Sequence, residues 1–292
     1  MTRAEHRFVL LNVFAVSGRS LSGNPLCVFE QGEPLSSEQM QALARQFNLS
    51  ETTFVLPPSN AAATKRVRIF TPSFEMPFAG HPTLGTAHVV RSLTAIGDRL
   101  ALEMKAGLVE VIAHGDEWTL RTAHGPETRK PEASRALLAA MLGLDESALA
   151  DEADGPALWV DTGAEQLVIP LRTPEHVAAA RPKADLLLGH GFSPKRGASM
   201  AYVWAPAGDG RILAPFFFSK DGGVVEDPAT GSACANLGGW LVATGKPLPA
   251  RFTISQGEFV HRPSELGLHV DEDRHIYVTG LVEELGRGSL TL

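Results

Sequence analysis

Polar and apolar positions alternate without a break over Lys65-Arg66-Val67-Arg68-Ile69-Phe70. That period of two predicts a strand with one face buried. Similar short runs recur along the chain. Arg7 to Val16 reads as a strand, and Gly23-Asn24-Pro25 as a turn into the strand that holds Leu26-Cys27-Val28-Phe29. Ser36-Ser37-Glu38-Gln39 has the form of a capping box. It opens a helix whose apolar positions Met40, Leu43, Ala44 and Phe47 follow helical spacing, and Asn48 supplies a left-handed stop. Thr53 to Leu56 is a β-branched and apolar run closed by Pro57-Pro58, which puts Glu51 where a helix ends and a strand begins. Further strands are predicted near Leu108–Ala113 and Trp118–Arg121. In the second half an Ala/Leu helix runs from about Glu132 to Leu142. Strands follow near Leu158–Val160, Leu167–Leu171, Ala201–Trp204, Phe252–Ser255, Leu268–Val270 and Ile276–Val282, with Phe216-Phe217-Phe218 among them. The polar stretch Thr122–Pro131, which holds Gly125-Pro126, is the best linker candidate.

Two segments break the strand rhythm. Thr230 to Thr244 carries no charge and stops at Gly245-Lys246-Pro247, and Thr83 to Leu93 has only His88 and Arg91 as ionisable interruptions. Helices that are apolar on nearly every face are buried ones. The entries to the two segments also repeat. Phe78-Ala79-Gly80-His81-Pro82-Thr83-Leu84-Gly85-Thr86-Ala87 and Val225-Glu226-Asp227-Pro228-Ala229-Thr230-Gly231-Ser232-Ala233 share Pro-x-x-Gly-[Ser/Thr]-Ala, 146 positions apart, with an ionisable residue before each proline. The pattern predicts two half-molecules of similar core, each opened by a proline in the first turn of its helix. Gly80, Gly85, Gly231 and Ser232 leave backbone N–H groups approachable at those helix starts, where orphan donors and the helix dipole attract anions.

Bulk properties narrow the class. At 292 residues two domains are the default, and 44% hydrophobic with 20% charged residues is ordinary globular composition. The division expected is 1–125 and 126–275, with a terminal strand at about 276–292 able to return to the first half. Many short strands with one buried helix per half point to an α+β fold: two pseudo-symmetric domains, each a curled, mostly antiparallel sheet around a central helix. A net charge of −7 with scattered basic residues argues against a nucleic-acid partner. The first apolar run is too short for a signal peptide and no stretch reaches membrane-spanning length, so a cytoplasmic protein is expected. Two cysteines, Cys27 and Cys234, exclude a disulfide framework by number and a cysteine zinc site by spacing, and both read as buried small hydrophobes.

The chemistry-bearing motifs are defined partly by elimination. The chain contains neither Gly-x-Gly-x-x-Gly after a strand nor a P-loop ending, and its ten histidines include no His-Glu-x-x-His. Ser232 lacks a Gly-x-Ser-x-Gly elbow. No cofactor and no metal are therefore expected, which leaves acid–base chemistry by Glu51, His81 and Asp227, with Ser232 and glycine N–H groups as donors. A carboxylate in a mostly dry pocket is held nearer neutrality, which suits a base that must also return its proton. Each residue also has a plainer reading. Glu51 fits a surface charge in a loop, and His81 and Asp227 fit helix capping.

Seven pieces in order resemble the PhzF family of phenazine-biosynthesis isomerases across nearly the whole chain. They are Ser22-Gly23-Asn24-Pro25, Asn48-Leu49-Ser50-Glu51-Thr52, Phe70-Thr71-Pro72, Phe78 to Gly85, Glu226 to Ala233, Gln256-Gly257 and Arg262-Pro263-Ser264. The resemblance implies a diaminopimelate-epimerase-like fold, an active site in a cleft between the halves, a cytoplasmic homodimer and no cofactor. It further implies a small carboxylate substrate like trans-2,3-dihydro-3-hydroxyanthranilate, whose proton Glu51 would move between ring carbons. By the same match His81 and Asp227 support proton movement, and Ser50, Gly80, Gly231 and Ser232 hold the substrate. An epimerase acting on an amino-acid-like acid, or a family member that binds protein without turnover, are the competing expectations. Against a two-thiol racemase, the helix mouths hold Ala79 and Pro228-Ala229, with Cys234 a turn inside its helix. Val278-Thr279-Gly280-Leu281-Val282 stands where the family commonly has a Gly-Gly-x-Ala type ending.

Overall fold

The computed structural model of the chain describes residues 4–153 and 155–292, so Met1–Arg3, which precede the first predicted strand, lie outside the described residues. The chain divides into two compact units: residues up to Arg121 together with Thr279–Leu292, and Thr122–Val278.

In the first unit a ring of strands closes on itself. Strand Glu5–Val13 pairs with Asn24–Phe29 on one side and with the long terminal strand Ile276–Thr291 on the other. Asn24–Phe29 lies parallel to Glu51–Leu56, joined by helix α1 (Ser37–Phe47). Lys65–Phe70, Arg99–Met104, Gly107–His114 and Glu117–Arg121 continue the ring, and the last of these returns to the terminal strand. A closed sheet has no edge left to pair. Inside it runs helix α2 (Gly80–Thr94), with Leu84, Ala87, Val89 and Val90 fully buried. It packs on Glu5–Val13, Asn24–Phe29, Glu51–Leu56, Lys65–Phe70, Arg99–Met104 and Glu117–Arg121. Gly85 makes this approach possible, because a Cβ there would lie 2.5 Å from Leu26 and 2.8 Å from Val13. α1 covers the outside of the ring through an aromatic cluster of Phe8, Phe29, Phe47 and Phe54.

The second unit is a curled sheet around another helix. Strands run in the order Glu127–Arg129, Leu158–Asp161, Gln166–Pro170, Ala198–Gly208, Phe216–Lys220 and Gly223–Asp227. The far end of Ala198–Gly208 pairs instead with Arg211–Leu213, and from there with Ala250–Gln256 and Ser264–Val270. Three short helices, α3 (Arg135–Met141), α4 (Pro174–Ala179) and α5 (Ala184–His190), cover one face over a core that includes Leu138, Val177, Leu187, Val203 and Phe217. Helix α6 (Gly231–Ala243) packs on strands Glu127–Arg129, Leu158–Asp161, Gln166–Pro170 and Ser264–Val270.

Several expectations are met closely. Ser36 and Gln39 form the reciprocal capping box, Asn48 adopts φ 52°, and strand Lys65–Phe70 has the bounds read from its alternation. Others need correction. The boundary between the units falls at the start of the linker candidate Thr122–Pro131, but its later part is not free: Glu127–Arg129 pairs with Trp159–Asp161 and Arg129 grips Glu165 with two charge-assisted bonds of 2.9 Å. The two prolines do not play one role. Pro82 is the third residue of α2, whereas Pro228 precedes α6, whose N-cap is Thr230. Each central helix is the crossover of a parallel pair: Lys65–Arg66 with Leu102–Glu103 around α2, and Arg211–Leu213 with Thr253–Ser255 around α6. Local periodicity carries no information on that register. The atypical ending is accommodated as regular strand, with Val278 and Val282 buried and Gly280 seated on the Phe14 ring.

Candidate active site

The αL cap at Asn48 turns the chain out of α1, and strand Glu51–Leu56 begins three residues later. Its first residue, Glu51, is therefore fixed at a strand end, opposite Leu26 of the parallel neighbour. Behind it Thr52 and Thr53 are fully buried, and the Thr53 hydroxyl meets that of Thr86 on α2 at 2.7 Å. This tie holds the start of the strand against the first turns of α2. His81, the second residue of α2, then stands beside Glu51, with His81 Nε2 3.2 Å from Glu51 Oε2. Their side chains are 7% and 15% exposed, so Glu51 is not a surface charge. His81 belongs to the helix rather than capping it, because the N-cap is Ala79.

Burial pushes the His81 imidazole down to about 3. A neighbouring carboxylate works the other way and favours imidazolium. At this degree of enclosure the desolvation of a full ion pair outweighs the attraction, and the ring is neutral at physiological pH. The oxygen of Glu51 lies off the direction of a good hydrogen bond from Nε2. A neutral imidazole has one N–H and one lone pair, so it can face either form of a carboxyl group.

In the second unit, strand Gly223–Asp227 ends at Asp227, and a polar chain fixes that residue. The Thr230 backbone N–H donates to Gln256 Oε1 at 3.1 Å, which settles the orientation of the amide. Gln256 Nε2 therefore donates to the Asp227 carbonyl and to Thr230 Oγ1, both at 2.9 Å. With its oxygen used as acceptor, the Thr230 hydroxyl donates to Asp227 Oδ2 at 2.5 Å. Asp227 is thus no N-cap either. Gly257 keeps this corner tight at φ +76°, where a Cβ would lie 2.5 Å from the Pro228 carbonyl oxygen. Gly231 and Ser232 open α6, the first buried and the second half-buried.

Both central helices begin without a side-chain cap and without an acidic residue in the first turn, in contrast to α1 with Ser36 and Glu38. Helix starts of that kind keep donors available for an anion. Gly80 is buried at the start of α2, while Ser50 is exposed next to Glu51. Cys27 and Cys234 are fully buried and burial pushes both thiols far up, which makes them poor thiolates. Among the described residues, no cluster of three or more His, Cys, Asp and Glu side chains could hold a metal ion, and no helix is long and apolar enough to cross a membrane. The motifs quoted above contain Thr230 and Gln256 without marking any role for them, and no local pattern points to Gln166, discussed below.

The family model described as phenazine biosynthesis-like protein (PhzC-PhzF) matches residues 11–282. The chain belongs to the PhzF family. It is 37% identical over 285 residues to an uncharacterised isomerase from Pasteurella multocida, covering 98% of this chain and 94% of that protein. It is 33% identical over 296 residues to a trans-2,3-dihydro-3-hydroxyanthranilate isomerase from Pseudomonas chlororaphis, covering 98% of this chain and all of the relative. The crystal structure of a PhzF-family phenazine biosynthesis protein from Bacillus anthracis superposes with TM-score 0.84, over 99% of this chain and 100% of that one, at 21% identity. The architecture is the α+β, diaminopimelate-epimerase-like fold of this family, and the chain is an isomerase of the PhzF type.

Proposed function

We propose that this PhzF-family isomerase moves a proton between two carbons of a small unsaturated carboxylate, with Glu51 as both base and acid. The observation that carries the reading is the Glu51–His81 contact: a shielded carboxyl at a strand end, 3.2 Å from an imidazole that burial keeps neutral. In this scheme ionised Glu51 takes a C–H proton and the electron pair left behind shifts the double bond. Glu51, now protonated, returns the proton at the far carbon of the shifted system. Atoms and charge balance, and no electron leaves the substrate. His81 faces the carboxyl through both states and keeps water from it. Asp227, held by Thr230, assists as a fixed acceptor. Donors suited to a substrate carboxylate are the Ser232 hydroxyl and the first N–H groups of α6 at Gly231 in the second unit, and Ser50 and Gly80 in the first. The Pseudomonas chlororaphis relative suggests trans-2,3-dihydro-3-hydroxyanthranilate as the compound to try. Its product enol would relax to a ketone.

Glu51→Gln tests the assignment. The amide keeps the shape of the side chain but cannot exchange a proton, so turnover should fall by about 10² to 10⁴. Turnover is followed by the absorbance change of the shifted double bonds and by deuterium entering from heavy water. A Glu51→Gln protein with undiminished turnover rejects Glu51 as the base. Deuterium entering at a stereocentre with scrambled configuration and no absorbance change would point to an epimerase instead.

A further inference from the structure

We infer that Gln166 is a positioning residue that fixes the Ser232 hydroxyl as a hydrogen-bond donor toward the ligand. Backbone groups of fixed polarity stand at one end of a buried relay. The Thr162 N–H donates to Asn236 Oδ1 at 2.9 Å, and the Thr162 hydroxyl donates to the same oxygen at 2.7 Å. Asn236 Nδ2 therefore points the other way, donating to the Ala164 carbonyl at 2.7 Å and to Gln166 Oε1 at 2.8 Å. That bond orients the second amide in turn. Gln166 Nε2 faces Ser232 Oγ at 2.9 Å, and an amide nitrogen has only protons to offer. Ser232 Oγ must accept, so its own proton points away from Gln166.

The relay is built to hold that sense. Gln166 and Asn236 are 1% and 0% exposed, and Gln166 is the lone amide side chain in the apolar strand Gln-Leu-Val-Ile-Pro. Reversing Asn236 would set Nδ2 against the Thr162 N–H and Oδ1 against the Ala164 carbonyl, and reversing Gln166 would set its Nε2 against Asn236 Nδ2, in each case leaving buried groups unsatisfied. Ser232, in contrast, is half-buried at the start of α6. Its equivalent in the repeat, Thr86, is fully buried and its hydroxyl is engaged with Thr53. A serine whose proton is turned away from Gln166, at an uncapped helix start, suits an acceptor such as a carboxylate oxygen. The inference rests on the reading of Ser232 as a ligand-binding residue, given above.

The test uses Gln166→Glu and Ser232→Ala, alone and combined, in the full chain. Gln166→Glu exchanges one nitrogen for oxygen, retains an acceptor for Asn236, and turns the Ser232 proton inward toward the new carboxylate. Binding of 3-hydroxyanthranilate, an aromatic acid that cannot shift its double bonds, is measured by calorimetry. Each single variant is expected to raise Kd about tenfold, and the double variant no further, since both remove one bond. A Gln166→Glu effect that persists in the Ser232→Ala background marks a purely structural role and overturns the inference. If Ser232→Ala weakens binding and Gln166→Glu does not, the inference fails while the reading of Ser232 stands. A second readout needs no ligand. The side-chain amide resonances of Gln166, identified by their absence in Gln166→Glu, should shift in Ser232→Ala. Resonances that do not move overturn the relay whether or not 3-hydroxyanthranilate binds, and Ser232→Ala without effect on binding rejects the ligand role of Ser232 alone.

Discussion

The protonation state assigned to His81 makes a sharp prediction about stability against pH. The perturbation is His81→Gln, made in the Glu51→Gln background so that no coupled carboxyl titrates beside it. Burial holds the folded-state imidazole at about 3, against 6.5 for an exposed histidine. Between those values the unfolded chain binds a proton that the folded protein does not. A depressed pKa therefore gives stability that is fully present above pH 6.5 and is lost as pH falls toward 3. One proton corresponds to about 1.36 kcal/mol per pH unit, so the span from 6.5 to about 3 amounts to about 5 kcal/mol. The side chain is 7% exposed, so solvent screening takes little from this figure. The assay is chemical denaturation of Glu51→Gln with and without His81→Gln, from pH 4 to pH 8. The difference in unfolding free energy should be flat above about pH 7 and should then fall in favour of His81→Gln at close to one proton's slope. Were His81 an imidazolium in the folded protein, the slope would have the opposite sign, with the histidine protein gaining as the pH drops. That outcome would refute the neutral-imidazole argument and with it the account of why Glu51 can change charge in place.

Two further predictions come from the second unit. Thr230→Val keeps the volume but removes the donor to Asp227 and the acceptor of Gln256; with Gln256 1% exposed, stability should drop by about 1–3 kcal/mol and KM should rise, while Thr230→Ser restores both, as denaturation and steady-state kinetics will tell. Glu226 lies across from Phe217 on the face covered by α3 to α5, and burial, reinforced by Asp227 and opposed by Arg181, pushes it up to about 7. A raised carboxyl gives stability that is present below its unfolded value of 4.5 and is lost as pH rises through 7. Glu226→Gln should therefore match the parent near pH 4.5 and exceed it at pH 8 by on the order of 2 kcal/mol, after allowance for partial exposure. Equal stability of the two proteins at pH 8 would show that the carboxyl ionises without cost.

What could be read from the sequence follows from the range over which each signal acts. Alternation in Lys65–Phe70, the capping box at Ser36 and the uncharged run of α6 are local patterns, and each appears where the pattern places it. The parallel crossovers around α2 and α6 depend on which strands meet after the chain has turned, and nothing in the six residues of a strand encodes that. Glu127–Arg129 was hidden for another reason: all three residues are exposed, so the strand is made by backbone bonds to Trp159–Asp161 and leaves no apolar mark. The short helices α4 and α5 have six and seven residues, fewer than periodicity needs to register. At the candidate site, Glu51 and His81 stood out as ionisable residues beside apolar runs. Gln166 and Asn236 did not, because a buried amide inside an apolar element looks like an isolated exception until its bonds are known.

On the proposed assignment, one repeated motif supports two kinds of chemistry. Both copies place an ionisable residue before proline and a hydroxyl residue after glycine, at the start of a central helix. In the first copy Thr86 is turned inward onto Thr53, so the hydroxyl helps set the strand that carries Glu51. The ionisable residue, His81, is enclosed by the helix and made neutral by burial. In the second copy the hydroxyl of Ser232 remains partly open, and its polarity is imposed from behind by Gln166. The ionisable residue there, Asp227, lies outside the helix and is held by Thr230. An environment that removes charge from an imidazole suits proton transfer, because a neutral neighbour leaves the carboxyl free to be either acid or base. An environment that fixes one donor and one acceptor suits recognition, because fixed dipoles need not reorganise when the ligand arrives. On the proposed assignment the first copy supplies proton transfer and the second recognition, and the two copies also differ in where the proline sits. Pro82 lies within the first turn of α2 with His81 before it in the helix, whereas Pro228 lies ahead of the Thr230 cap with Asp227 at the end of the strand.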